Sequence, residues 1–143
     1  MTGFLLDTNV VSELRKADRT NAGLAEWYSA RNPDELYLST ITLAEIRRGV
    51  ALLHRRDPGQ AMILRNWADR VQRGFGRMGR LLSVRAAEAS MWGELQAIRP
   101  LPIMDCFLAA TAKVHDLTLV TRNEVDFTGL PISTLNPFSS AEV

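Results

Sequence analysis

The chain has 143 residues, of which 46% are hydrophobic, and a formal net charge of +1. This length fits one compact domain with a proper core, so we expect no disorder beyond the ends. No apolar run approaches the roughly 20 residues of a membrane span, and the first residues lack a signal-peptide pattern, so we expect a cytosolic protein. Cys106 is the single cysteine, which excludes an internal disulfide, and no Cys/His spacing indicates a zinc site.

Short apolar strands alternate with helices along the chain. In chain order the pattern predicts a strand over residues 3–7, helices over 10–13 and 21–30, a strand over 36–39, helices over 41–53 and 58–71, a strand over 81–84, helices over 86–98 and 104–115, and strands over 117–120 and 132–135. The glycines between residues 74 and 79 are expected to end the fourth helix. We expect one domain over residues 1–136 and a tail over residues 137–143.

This alternation indicates an α/β fold of three layers. We expect a central parallel sheet of about four or five strands, with helices on both of its faces. In such sheets ligands bind at the carboxyl ends of the strands, near the point where the strand order reverses. That edge of the sheet is therefore the place to look for chemistry.

Charge is distributed unevenly along the chain. Ten arginines and only two aspartates lie between Arg47 and Arg85, whereas the rest of the chain is acidic. A basic segment beside an acidic remainder suits a protein that approaches a polyanion. An arginine-rich helical hairpin exposed to solvent explains the same pattern equally well.

Four acidic residues stand where a site at the carboxyl edge would be built. Asp7 ends the first strand, and Glu45 lies near the start of the helix after the second strand. Asp105 stands at the start of a later helix, and Asp126 follows the strand over residues 117–120 by one short turn. Two carboxylates about 4 Å apart repel by about 4 kcal/mol at an effective dielectric constant of 20. A divalent cation relieves this repulsion, and oxygen ligands suit Mg²⁺ or Mn²⁺.

Each acid also has an explanation that needs no ligand. Asp7 fits a helix cap, and Glu45 fits a capping box with Thr42. Asp105 fits the favourable end of a helix dipole, and Asp126 fits a turn. The functional interpretation depends on all four acids occurring at the same end of the predicted sheet.

Four blocks of the sequence, in order, resemble the PIN domains of VapC-type and FitB-type toxins. The blocks are LLDTNVVSEL at residues 5–14, TITLAEIRRG at 40–49, LPIMDCFLAATA at 101–112 and LTLVTRNEVDF at 117–127. The resemblance covers nearly the whole chain, and four ordered blocks are far more specific than any single one. Cys106 is a mild departure, because smaller residues are common there in relatives.

The resemblance implies a metal-dependent endoribonuclease that is the toxin of a toxin–antitoxin system and inhibits translation or growth. Asp7, Glu45, Asp105 and Asp126 would be its metal-site acids, with Mg²⁺ or Mn²⁺ promoting hydrolysis of RNA phosphodiesters. Asn9 and Thr121 would orient those ligands or a water molecule, and Arg47 and Arg48 are candidate RNA contacts. The implied partners are an antitoxin that occludes the site, a second copy of the chain, and operator DNA bound through the antitoxin.

Three other interpretations fit parts of the pattern. A haloacid-dehalogenase-like phosphatase also begins with an aspartate after its first strand. That family requires a second aspartate two residues later, where this chain has Asn9. A PIN domain that binds RNA without cutting it would keep the fold, and the complete set of acids argues against it. A purely structural role would not explain why four acids occur at the same end of the predicted sheet.

Overall fold

The computed structural model describes residues 3–139, which form five strands and six helices. The strands are β1 (Gly3–Leu6), β2 (Leu36–Ser39), β3 (Leu81–Leu82), β4 (Leu117–Val120) and β5 (Ser133–Leu135). The helices are α1 (Thr8–Leu14), α2 (Ala22–Ser29), α3 (Thr40–His54), α4 (Pro58–Gly76), α5 (Ala86–Ile98) and α6 (Ile103–Val114). Within this part of the chain, no helix has the length and apolar character to cross a membrane.

The five strands form one sheet in the order β3-β2-β1-β4-β5, and every neighbouring pair is parallel. The predicted parallel sheet of four or five strands is therefore confirmed. The chain leaves β1 toward β2 and β3 on one side and later returns to β4 and β5 on the other side. The strand order thus reverses between β1 and β4, which is where ligands bind in sheets of this kind.

Two apolar cores sit on opposite faces of the sheet. Side chains alternate between faces along a strand, so Leu5 enters one core and its neighbour Leu6 enters the other. The helices α5 and α6 cover the Leu5 face, where Leu95 and Leu108 are fully buried. The helices α1 to α4 cover the other face, and Leu24 is fully buried there. This arrangement confirms the predicted three layers.

The fourth helix is longer than predicted. We expected it to end near Val71, yet α4 continues to Gly76. A glycine inside a helix costs only about 1 kcal/mol relative to alanine, which packing readily offsets. Phe75 packs against the core, and the Arg80 guanidinium donates a hydrogen bond to the Gly74 carbonyl, so tertiary contacts extend the helix.

The third strand is shorter than predicted. Only Leu81 and Leu82 pair with β2, whereas the sequence pattern extends to residue 84. These residues lie opposite Leu38 and Ser39, and β2 ends at Ser39. The residues after Leu82 therefore have no strand to pair with, which a pattern of apolar residues does not reveal.

Residues 137–139 contact α2 although they form no helix or strand. The Asn21 side chain accepts a hydrogen bond from the Ser139 amide at 2.8 Å, and its amide donates to the Ser139 carbonyl at 3.3 Å. A Cβ atom on Gly23 would lie 2.7 Å from the Pro137 carbonyl oxygen, so this close approach requires glycine. The predicted boundary at residue 136 falls just before this contact, and residues 140–143 lie outside the described part of the chain.

Candidate active site

Asp7 is fixed at the point where the strand order reverses. Its backbone amide donates to the Val120 carbonyl at 2.9 Å, which continues the pairing of β1 with β4. One side-chain oxygen accepts from the Thr8 amide at 2.6 Å and caps α1, and the other accepts from the Thr121 hydroxyl at 2.8 Å. The capping explanation for Asp7 is therefore correct, and it does not compete with the site, because both contacts aim a buried carboxylate at the sheet edge.

Asn9 and Thr121 surround Asp7 as the sequence predicts they should. The Asn9 amide donates to Asp7 Oδ2 at 3.4 Å and to Thr121 Oγ1 at 3.5 Å, and its oxygen accepts from the Arg122 backbone amide at 3.2 Å. Asn9 thus ties the start of α1 to the end of β4. These contacts hold the Asp7 carboxylate in one orientation.

Glu45 is held by a residue that sequence reasoning missed. The Thr8 hydroxyl donates to Glu45 Oε1 at 2.5 Å, and the two residues are 37 positions apart. The alternative explanation of Glu45, a capping box with Thr42, is wrong, because Ser39 caps α3 by accepting from the Ile41 amide. The Thr42 hydroxyl instead lies 3.3 Å from the Thr8 hydroxyl, within hydrogen-bond distance. A threonine directly after the first acid was the signal available in the sequence.

Asp105 and Asp126 approach from the β4 side of the sheet. Asp105 is half-buried in the first turn of α6. Asp126 is exposed on a 3₁₀ turn, Glu124–Phe127, that follows β4. The Arg99 guanidinium donates to the carbonyl oxygens of Asp126 and Thr128, and the latter contact measures 2.9 Å. Arg99 therefore ties the turn that carries Asp126 to the segment that leads into α6, and sequence reasoning missed this role.

The four acids lie close enough to repel one another. Burial raises the pKa of Asp7 above its usual value, and the charges of Asp105 and Glu45 raise it further against the opposing hydrogen bonds from Thr121 and Thr8. Burial also raises the pKa of Asp105, and the charges of Glu45 and Asp126 add to the increase. Asp105 therefore interacts with all three other acids, and the structure brings the four residues into one electrostatic cluster.

A divalent cation fits the chemistry of this cluster. Negative charge accumulates there without a cationic side chain paired to any of the four carboxylates among residues 3–139. Within the same residues, no three Asp, Glu, His or Cys side chains converge as a preformed cage for a metal ion. A cation such as Mg²⁺ typically uses one or two protein carboxylates and keeps several waters, so binding of such an ion does not require three converging protein ligands.

The candidate RNA contacts differ in their availability. Arg47 donates from one guanidinium nitrogen to Asp69 and to Gln72, both at 2.7 Å, and so links α3 to α4. Arg48 is exposed on α3 and makes no hydrogen bond or ion pair with the part of the chain that the structure describes. Of the two arginines, Arg48 is therefore the one whose side chain is not engaged by other described residues.

Comparison with known proteins agrees with this geometry. The PIN domain profile matches residues 4–130. The toxin FitB of Neisseria gonorrhoeae is 30% identical over 94% of this chain and 98% of its own length. The VapC ribonuclease Y4jK of Sinorhizobium fredii is 33% identical over 96% of this chain and 99% of its own length. A solved structure of FitAB bound to an IR36 DNA fragment is 30% identical, with a TM-score of 0.84 over 95% of this chain and 96% of that chain.

These similarities extend along almost the entire chain, and the range matched by the PIN profile contains the positions of all four acids. Fold, strand order and sequence blocks agree with one another. The chain therefore belongs to the PIN domain family.

Proposed function

We propose that this protein is an endoribonuclease and the toxin of a toxin–antitoxin system. The observation that carries the proposal is the cluster of Asp7, Glu45, Asp105 and Asp126 at the point where the strand order reverses. The similarity to a protein named VapC ribonuclease and to a protein named toxin FitB supports the same activity. As such a toxin, the protein would limit growth by destroying RNA needed for translation.

Asp7 and Asp105 are the residues we expect to hold the metal directly. Both carboxyl groups are at least half-buried, and hydrogen bonds fix the orientation of Asp7. Glu45 and Asp126 complete the donor set, acting directly or through water. When bound, Mg²⁺ or Mn²⁺ acts as a Lewis acid toward a phosphate oxygen and lowers the pKa of water.

The side chains themselves position the reactants and move protons. Thr8 holds Glu45 Oε1, which leaves Oε2 free to accept a proton from an attacking water. Thr121 and Asn9 hold Asp7 in place, so little reorganisation accompanies the reaction. Cys106, next to Asp105, is fully buried and burial raises the pKa of its thiol, so this thiol is poorly suited to act as a nucleophile.

Cleavage of a structured RNA pool by the purified chain tests the proposed activity. We expect cutting with Mg²⁺ or Mn²⁺, no cutting with EDTA, and recovery when excess metal is restored. A folded protein that binds RNA but cuts none of it with either metal would favour the non-catalytic PIN domain instead.

We also propose that an antitoxin covers this protein. An apolar cavity of about 340 Å³ opens between α1, α2 and α4, and Leu14, Tyr28 and Trp67 contribute to its lining. Leu6, which directly precedes Asp7 in the chain, lines the same cavity, whereas none of the four acids does. The complex would assemble from two copies of the chain and would reach operator DNA through the antitoxin. Co-purification with the product of the neighbouring gene, followed by loss of RNA cleavage, tests this proposal.

Replacing Arg99 with alanine is expected to lower kcat by about ten-fold, because residues that orient a metal site typically contribute ten-fold or more. Without the Arg99 guanidinium, the carbonyls of Asp126 and Thr128 lose their shared donor, and the turn that carries Asp126 is free to shift. Steady-state cleavage kinetics measure the effect. Arg31→Ala is the matched control, because Arg31 also donates to a carbonyl, that of Trp27, but contacts none of the four acids. Equal losses in both variants would contradict the role given to Arg99.

A further inference from the structure

We propose that Arg122, held over the ring of Phe138, binds a phosphate of the RNA next to the carboxylate cluster. The inference rests on the proposed ribonuclease function and names a residue that delivers substrate to that site. A cluster of carboxylates repels the negatively charged RNA backbone, so the four acids by themselves do not hold RNA at the site. A cation at the edge of the cluster is needed to hold the strand there.

Arg122 lies one residue beyond the contact that fixes Asp7. Its neighbour Thr121 donates to Asp7 Oδ2, and its own backbone amide donates to Asn9 Oδ1 at 3.2 Å. The Arg122 backbone amide is therefore fixed by Asn9, which is one of the side chains that orient Asp7. The Arg122 side chain itself is exposed to solvent.

The guanidinium of Arg122 is free to bind an anion. It lies 4.2 Å from the centroid of the Phe138 ring, and within residues 3–139 it makes no hydrogen bond and no ion pair. Arg31 and Arg80 also stack on aromatic rings, but their guanidinium groups donate to backbone carbonyls. Arg122 therefore keeps its donors for a partner outside this part of the chain, and a phosphate matches the planar guanidinium.

Glu13 forms no ion pair with Arg122. Glu13 lies close enough to sense its charge, but the Glu13 carboxylate already accepts from Lys16 at 2.9 Å and from the Asn21 amide at 2.9 Å. A surface arginine whose positive charge is not cancelled attracts RNA at a distance and binds it on contact.

The segment over residues 136–139 supports the Arg122 side chain. The Asn136 amide donates to the Arg122 carbonyl at 3.2 Å, and its oxygen accepts from the Phe138 amide at 3.0 Å. Asn21 then holds the backbone at Ser139. Phe138 is half-buried against the core, so it provides a fixed ring beneath a side chain that would otherwise sample many rotamers.

RNA binding measured without cutting tests the assignment. The probe is a short fluorescein-labelled single-stranded RNA, and its anisotropy is followed in EDTA over a series of salt concentrations. Arg122→Gln is expected to raise Kd about five-fold at low salt and to reduce the slope of log K against log salt by about 0.7, the value for one phosphate contact on a single strand. Arg122→Lys keeps the charge and should keep the slope.

Lys113→Gln is the matched control, since Lys113 is an exposed cation in the last turn of α6, whereas Asp105 lies in the first turn of that helix, and this variant should bind as the wild type does. An unchanged slope and Kd in Arg122→Gln, or a wild-type chain that binds no RNA, would overturn the assignment. Loss of melting temperature in both Arg122 variants with an unchanged slope would also overturn it and leave Arg122 a purely structural residue. A chain that never cuts RNA, but whose binding weakens in Arg122→Gln alone, would refute the proposed hydrolysis and retain the phosphate contact.

Discussion

Replacing Asp105 with asparagine is expected to abolish RNA cleavage and, at the same time, to raise the melting temperature of the metal-free protein. Cleavage should fall by about 100-fold or more, because a lost metal ligand removes several kcal/mol of transition-state stabilisation. Stability should rise because Asp105 interacts unfavourably with Glu45, Asp126 and Asp7, and the neutral amide removes these repulsions at once. Cleavage assays and thermal melts in EDTA measure the two effects.

A lower cleavage rate together with a higher melting temperature distinguishes a functional residue from a structural one. A residue that merely supports the fold loses activity and stability together. Added Mg²⁺ or Mn²⁺ should raise the melting temperature of the wild type and should have little effect on Asp105→Asn. Asp116→Asn is the matched control, since Asp116 is exposed and precedes β4 at the other edge of the sheet. A wild-type rate in Asp105→Asn would remove Asp105 from the active site.

Replacing Glu88 with glutamine is expected to destabilise the protein by about 2 kcal/mol without changing the cleavage rate. The Glu88 side chain is 0% exposed. Its carboxylate accepts hydrogen bonds from the Arg85 backbone amide at 3.0 Å and from the Arg85 guanidinium at 2.9 Å. It also lies 2.7 Å from His115 Nε2. It fastens the start of α5 to the end of α6, away from the four acids. A domain of this size loses roughly 2–4 °C in melting temperature per kcal/mol, so we expect a decrease of roughly 4–8 °C.

The pH dependence of this effect has a defined sign. The Arg85 guanidinium is the main reason that the pKa of Glu88 falls from 4.5 to about 2 in the folded chain. A carboxyl group with a lowered pKa stabilises the fold above pH 4.5 and loses that contribution as the pH falls toward 2. The difference in unfolding free energy between wild type and Glu88→Gln should therefore be largest near neutral pH and shrink in acid. Glu94→Gln, an exposed change in the same helix, should show no such trend. A difference that stays constant down to pH 2 would contradict this account.

The sequence predicts the strands best where they are buried on both faces. The bounds of β2 and β4 agree with the apolar runs over residues 36–39 and 117–120, because buried parallel strands consist of little else. The helix α5 also begins and ends where predicted. The bounds differ at α1, which spans Thr8–Leu14 and not only residues 10–13, and at α4 and β3, where packing of Phe75 and the length of the neighbouring strand decide the outcome. Neither factor can be read from local periodicity.

The positions of the four acids in the fold, as distinct from their proposed role, were predictable because each follows a strand or lies near the start of a helix. The contacts that hold these acids and their turns in place were less predictable. Asn9 and Thr121 stand next to motif residues, but the contact between Thr8 and Glu45 joins residues 37 positions apart. Arg99 reaches the Asp126 turn across 27 positions. A single sequence carries no signal for such long-range pairs, and only the folded chain reveals them.

The position of β1 in the middle of the sheet has a consequence for synthesis on the ribosome. Asp7 is among the first residues to be made, yet its partner Thr121 and the neighbouring strand β4 are made more than a hundred residues later. Asp126 follows later still. A nascent chain that lacks its last quarter therefore carries the first acid without the contacts that orient it. The proposed ribonuclease site therefore assembles only when synthesis is nearly finished, and the proposal implies that a nascent chain does not cut the ribosome or its message.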